Sequence, residues 1–102
     1  MGLTELREAI DSLFDEGVLG CADPESIVAL QTEFNRLGGF STMVAAEFDT
    51  EGAWATDGAR TAAAWISTKC RLPQGQARRR IREGRALRCL PETAAAVRGR
   101  QI

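Results

Sequence analysis

Residues 61–90 read TAAAWISTKCRLPQGQARRRIREGRALRCL, and this stretch decides the fold class. Thr61 precedes an alanine-rich run and carries the hydroxyl that caps a helix N-terminus. Ala62, Trp65, Ile66 and Cys70 follow at helical spacing, so they are expected to turn inward. Arg71-Leu72-Pro73 ends that helix, because proline cannot continue one and restricts the residue before it. A second helix is predicted from about Gln74 to Leu90, with Ala77, Ile81, Gly84 and Leu87 on one arc. Pro91 closes it and opens a last short helix that Gly99 ends. Two helices across a three-residue break form a helix-turn-helix-like unit.

Upstream, the same signals recur. Thr4 is an expected N-cap, and Leu6, Ala9, Ile10 and Leu13 form an amphipathic stripe that Gly17 stops. Val18 to Ala22 reads as a connector. Asp23-Pro24 combines a cap with proline at the first helical position. From there Ile27, Leu30, Phe34 and Leu37 form one apolar face, extended by Phe40, Val44 and Phe48. Gly38 and Gly39 interrupt it, which implies either a bend or the close passage of another backbone. The long helix is predicted to end near Glu51 or Gly52, and Asp57-Gly58 is a turn. No segment alternates with period two, so no sheet is expected. The fold class is all-α, with about five helices, one of them long and central, in a single domain spanning 1–102.

Of the 102 residues, 44 % are hydrophobic, enough for a modest core. No apolar run reaches the ~18 residues of a membrane span, and the N-terminus lacks an export signal. The cytoplasm is the expected location. Cys21, Cys70 and Cys89 form no CxxC pair, so they read as buried reduced thiols, with a Cys70–Cys89 bridge the less favoured alternative. Histidine is absent, which removes the commonest general base and the usual zinc ligand. Acidic neighbours such as Asp15-Glu16 or Asp49 and Glu51 form no tight cluster, so solvated surface is the expectation. Neither a metal, a cofactor, a small-molecule substrate nor catalysis is expected.

The net charge of −1 conceals a division. Residues 1–57 hold twelve Asp and Glu against two Arg, a balance of −10; residues 58–102 hold eleven Lys and Arg against two Glu, a balance of +9. On the second helix of the opening stretch every basic residue is arginine, whose planar fork suits phosphate and carboxylate. If the unit reads DNA, Gln74, Gln76, Arg78 and Arg79 are the base-reaching candidates, and Arg71, Arg82 and Arg85 the phosphate clamps. The competing reading pairs these arginines with the acidic half, where Glu33, Glu47, Asp49 and Glu51 are available. A third possibility is self-association, the acidic helix of one copy meeting the basic helix of another. Trp54 and Trp65 are expected in the core; a base-stacking role requires exposed rings beside the arginines.

Gly52-Ala53-Trp54, Asp57-Gly58-Ala59 and Thr61-Ala62-Ala63-Ala64-Trp65-Ile66, followed by Leu72, Ala77, Arg78, Ala86-Leu87, Leu90-Pro91-Glu92-Thr93-Ala94-Ala95-Ala96 and Gly99, form a further pattern. It resembles the actinobacterial domain-of-unknown-function 222 family, also called the 13E12 repeat family, with many mycobacterial members. The resemblance implies a helical region that precedes an HNH endonuclease domain, and hence a DNA-associated setting. It supplies no catalytic residue here, because the nuclease motif needs histidines. The family's helical region usually continues past the position of Gly99, so the resemblance leaves open a whole functional unit, a truncated gene product or a part of a larger protein. The sequence thus predicts a non-catalytic helical module associated with DNA, with a protein-interaction or dimerisation module as the alternative.

Overall fold

The computed structural model describes residues 2–99, and the side chains of these other than Pro91, Thr93, Ala94 and Val97. Every regular element among them is helical: α1 (Gly2–Glu16), a 3₁₀ turn (Val18–Cys21), α2 (Pro24–Glu51), a 3₁₀ turn (Ala53–Asp57), α3 (Ala62–Cys70), α4 (Gln74–Cys89) and a two-turn segment, Pro91–Arg98. The all-α class therefore holds. The helix count is four rather than about five, because only Leu90 separates α4 from the segment Pro91–Arg98. The chain divides into two compact units, Met1–Thr32 and Glu33–Ile102.

In the first unit α1 begins at Gly2, so Thr4 lies within the first turn and is not the cap. No residue of α1 is buried, and Ile10 and Leu13 are exposed, which corrects the inward stripe read from their spacing. Gly17 ends the helix at φ 89°, a conformation that glycine adopts without steric cost. The start of α2 follows the sequence signal. The Ser26 amide donates to Asp23 Oδ2 at 3.0 Å, and Pro24, lacking an N–H, occupies the first helical position. Hydrogen bonding from Ser26 holds the Asp23 carboxyl below its ordinary value.

The second unit is built by alanines. Ala45, Ala62, Ala63, Ile66, Ala77 and Ile81 form its buried cluster, with Phe48, Trp54, Trp65 and Leu72 packed against it. Small side chains let helix backbones approach, and the closest approach is at Gly84. A Cβ there would lie 2.7 Å from the carbonyl carbon of Thr42 and 2.8 Å from Ala46 Cβ, inside any ordinary contact. Of the close passage expected at Gly38–Gly39 there is none at Gly38, where nothing lies within 4 Å of a built Cβ. Glycine in a helix interior costs about 1 kcal/mol relative to alanine, and at Gly84 tight packing offsets it.

The links between elements are local. Gly52 terminates α2 in the left-handed region at φ 76°, and Gly58 does the same for the following turn at φ 81°. Thr61 Oγ1 accepts from the Ala64 amide at 3.0 Å, capping α3. The face that buries α4 is the expected one: Ala77, Ile81 and Gly84 are buried and Leu87 is half-buried. The apolar face of α2 is not buried along its length, for Ile27, Leu30, Phe34, Leu37, Phe40 and Val44 remain exposed while Phe48 enters the core. Nor are the thiols buried: Cys70 and Cys89 are exposed, Cys21 is half-exposed, and all three are free. Cys70 is the last residue of α3 and lies exposed there.

Candidate nucleic-acid interface

The turn between α3 and α4 sets the direction of the arginine helix. Arg71 adopts the left-handed conformation at φ 57°, and its amide caps α3 by donating to the Ser67 carbonyl. The Leu72 amide donates to the same carbonyl at 3.1 Å, while Ser67 Oγ donates to the Leu72 carbonyl. Pro73 then starts α4, its carbonyl accepting from the Gln76 and Ala77 amides at 3.0 and 3.1 Å. Three residues thereby reverse the chain with their polar groups satisfied, which fixes where the first turn of α4 emerges.

With Ala77, Ile81 and Gly84 facing inward, helical geometry turns Arg78, Arg79 and Arg82 outward. All three are exposed, as are Arg71, Gln74, Gln76 and Arg85. The candidate residues border two of the concavities along α4. Gln76 and Arg79 border one of about 590 Å³, which reaches Gly38, Gly39 and Thr42 on α2. Arg78, Arg82 and Arg85 border the other, of about 290 Å³, together with Thr61 and Asp49. Arg71 and Gln74 border neither, so the seven candidates divide among separate surfaces.

The arginines of α4 also differ in what they already hold. Arg85 is ion-paired with Asp49, and Arg88 with Glu47; the Arg88 guanidinium donates to Thr50 Oγ1 as well, at 3.1 Å. Arg80 is half-buried and donates to Ser41 Oγ at 2.8 Å. On α2, Arg36 pairs with Glu33 and donates through Nε to the Arg98 carbonyl at 3.0 Å. Among the described residues Arg71, Arg78, Arg79 and Arg82 make no ion pair. The basic stripe is therefore split along its length: its C-terminal part is engaged by the acidic end of α2, and its N-terminal part faces solvent. Of the acids read from the sequence Glu33 pairs instead with Arg36 on its own helix, but Glu47 and Asp49 were visible as partners of the α4 arginines. Ser41 and Thr50 were not, because only the crossing at Gly84 brings those hydroxyls to α4.

The tryptophans belong to the packing. Trp65 lies 4.7 Å from Phe48 between ring centroids, and its Nε1–H donates to Asp57 Oδ2 at 2.7 Å. Trp54 Nε1–H donates to the Asp49 carbonyl at 3.2 Å. Both indole N–H groups are thus satisfied within the domain, and both rings pack on its core. Among the described residues no group of three or more His, Cys, Asp or Glu is placed to hold a metal ion. No helix among them is long and apolar enough to cross a membrane.

Compared with protein-family models, residues 25–102 match the Domain of unknown function (DUF222). The chain belongs to this family. No curated protein and no solved structure matches it. The DUF222 match includes the whole of the second unit, whereas α1 and the Asp23 cap precede it. Most of the residues that carry the family pattern have structural work in this fold: Gly52 and Gly58 at positive φ, Trp54 and Trp65 on the core, Asp57 as acceptor, Thr61 as cap, and Ala62 fully buried. Thr93 and Ala94 lie outside the residues whose side chains are described. Arg78 is a solvent-facing member of the pattern, as are Ala53, Ala86, Leu90 and Glu92.

Proposed function

We propose that this DUF222 chain is a non-catalytic helical module that contacts DNA through the N-terminal half of α4. One observation carries the reading: Arg78, Arg79 and Arg82, with Arg71 at the preceding turn, are exposed and without carboxylate partners among the described residues, although acidic side chains on α2 neutralise their neighbours. Unpaired guanidinium groups around a helix that follows a tight turn suit the major-groove geometry of helix-turn-helix proteins. Arg71 and Arg82 are assigned to phosphates, and Gln74, Gln76, Arg78 and Arg79 to base edges. Arg85 contributes only by exchanging Asp49 for a phosphate. The wider setting follows from the family resemblance, in which such a region precedes an HNH endonuclease domain in actinobacterial proteins. In that setting the chain is cytoplasmic and positions DNA for chemistry performed elsewhere.

The test is anisotropy of a fluorescein-labelled duplex titrated with the folded protein at low salt. Binding in the micromolar range, weakened as salt rises with a log–log slope of about −2 for the two phosphate contacts of Arg71 and Arg82, is the expected result. No change in anisotropy up to 100-fold excess of protein would reject the proposal.

A further inference from the structure

The exposed apolar face of α2 within the second unit has a periodicity that surface chance does not supply. Phe34, Leu37, Ser41, Val44 and Phe48 follow one another at steps of three, four, three and four residues. That is the seam spacing by which two helices keep a common face in contact. At the lower end of the seam Phe48 is covered by Trp65 of α3. Above it Ser41 accepts from Arg80 of α4, while the apolar residues are uncovered: Phe34 is 68 % exposed, Leu37 42 %, Phe40 58 % and Val44 50 %. One helix face is thus core at one end and uncovered at the other.

We infer that a second copy of this chain covers the Phe34–Val44 face, forming a homodimer across α2. The area is sufficient. Phe34 and Phe40 together leave roughly 250 Å² of ring surface in water, and Leu37 and Val44 raise this to roughly 350 Å². Two copies therefore bring roughly 700 Å² of apolar side chain. Since apolar atoms make up about 60 % of an interface, the total is roughly 1,200 Å², the lower bound for a specific, stable contact. Charge does not oppose it. The one carboxylate in this arc, Glu33, is neutralised by Arg36 on its own helix. The seam also differs from the acidic-to-basic association read from the sequence, because Glu47 and Asp49 are already paired with Arg88 and Arg85 in the same chain. An isologous pairing satisfies both copies at once and leaves no bare face to propagate. The inference does not depend on DNA binding and is measured without it.

Sedimentation velocity of the full chain between 1 and 500 µM decides the matter. A monomer–dimer equilibrium with Kd of about 10–100 µM is expected, as befits an interface at the lower size limit. Phe34→Glu and Phe40→Glu are each expected to weaken it at least tenfold, while leaving the helical circular dichroism at 1 µM unchanged, because both rings are exposed in the single chain. Val18→Glu, exposed but off this face, retains the wild-type Kd. A monomer throughout the range overturns the inference. A dimer that persists unchanged in both Phe variants overturns it too, by placing the interface elsewhere.

Discussion

Alanine at Gly84 and alanine at Gly38 are expected to shift stability in opposite directions, although both glycines lie in helix interiors. At Gly84 the added methyl meets the carbonyl group and the Ala46 Cβ of α2, with separations of 2.7 Å to the Thr42 carbonyl carbon and 2.8 Å to that Cβ. Ordinary contact begins near 3.4 Å, so α4 has to withdraw by at least about 0.7 Å to clear the Thr42 carbonyl carbon, and further to clear its oxygen, which lies nearer still. The obstacle is backbone, which cannot rotate away as a long side chain does. A gap of 0.5–1 Å forfeits about a quarter to a half of each contact's attraction, and the α2–α4 crossing loosens along its length. Overpacking of this kind costs about 1–3 kcal/mol, with backbone clashes at the upper end, against about 1 kcal/mol gained from helix propensity. The net loss is about 2 kcal/mol, or a fall in Tm of about 8–16 °C for a unit of this size. Gly38→Ala meets nothing within 4 Å and is expected to gain up to about 1 kcal/mol, a rise of about 4–8 °C. Thermal denaturation of the two variants beside the parent, followed by circular dichroism at 222 nm, reads both effects. If Gly84→Ala stabilises the protein as Gly38→Ala does, helix α4 does not cross α2 at Thr42 and the packing described above is wrong.

Further expectations concern single contacts. Thr61→Ala removes the acceptor of the Ala64 amide and should destabilise the protein by about 1 kcal/mol in urea, while Thr61→Ser recovers most of the loss. Trp65→Phe keeps the ring against Phe48 but breaks the bond to Asp57, with an expected cost of about 1 kcal/mol in the same assay. Arg85→Ala should change stability by less than about 1 kcal/mol, because its ion pair with Asp49 is 61 % exposed on the arginine side and screened by solvent. The Asp23 carboxyl has a folded pKa below its unfolded one, so its contribution to the α2 N-terminus is complete above the unfolded value and disappears as pH falls through the folded one. The Ser26 amide proton shift, followed by NMR from neutral to acidic pH, should move with that carboxyl, and Asp23→Asn should abolish the movement.

What could be read from the residues alone was local. The caps at Asp23 and Thr61, the glycine stops at Gly17 and Gly52, and the break at Arg71-Leu72-Pro73 depend on neighbours within a few positions. The inward arc of α4 was legible for the same reason, since Ala77, Ile81 and Gly84 repeat at helical spacing. The burial of α2 was not. Phe34, Leu37 and Phe48 lie on one apolar arc, and nothing in their spacing says that α3 reaches only Phe48. Likewise the arginine candidates were visible as a set, but their division was hidden. Which of them meets an acid depends on where α4 crosses α2, and that is decided by the absence of a side chain at Gly84.

The division of the arginines is tested most directly by comparing two charge-matched double variants in the salt dependence of duplex binding. Arg71→Ala/Arg82→Ala removes the two exposed, unpaired guanidinium groups assigned to phosphates, whereas Arg85→Ala/Arg88→Ala removes two already held by Asp49 and Glu47. The first is expected to reduce the magnitude of the log–log salt slope by about 2, close to 0.9 per lost phosphate contact, and the second to leave the slope within error of the parent. Equal slopes for the two variants, or a larger change in the second, would contradict DNA contact through the N-terminal half of α4.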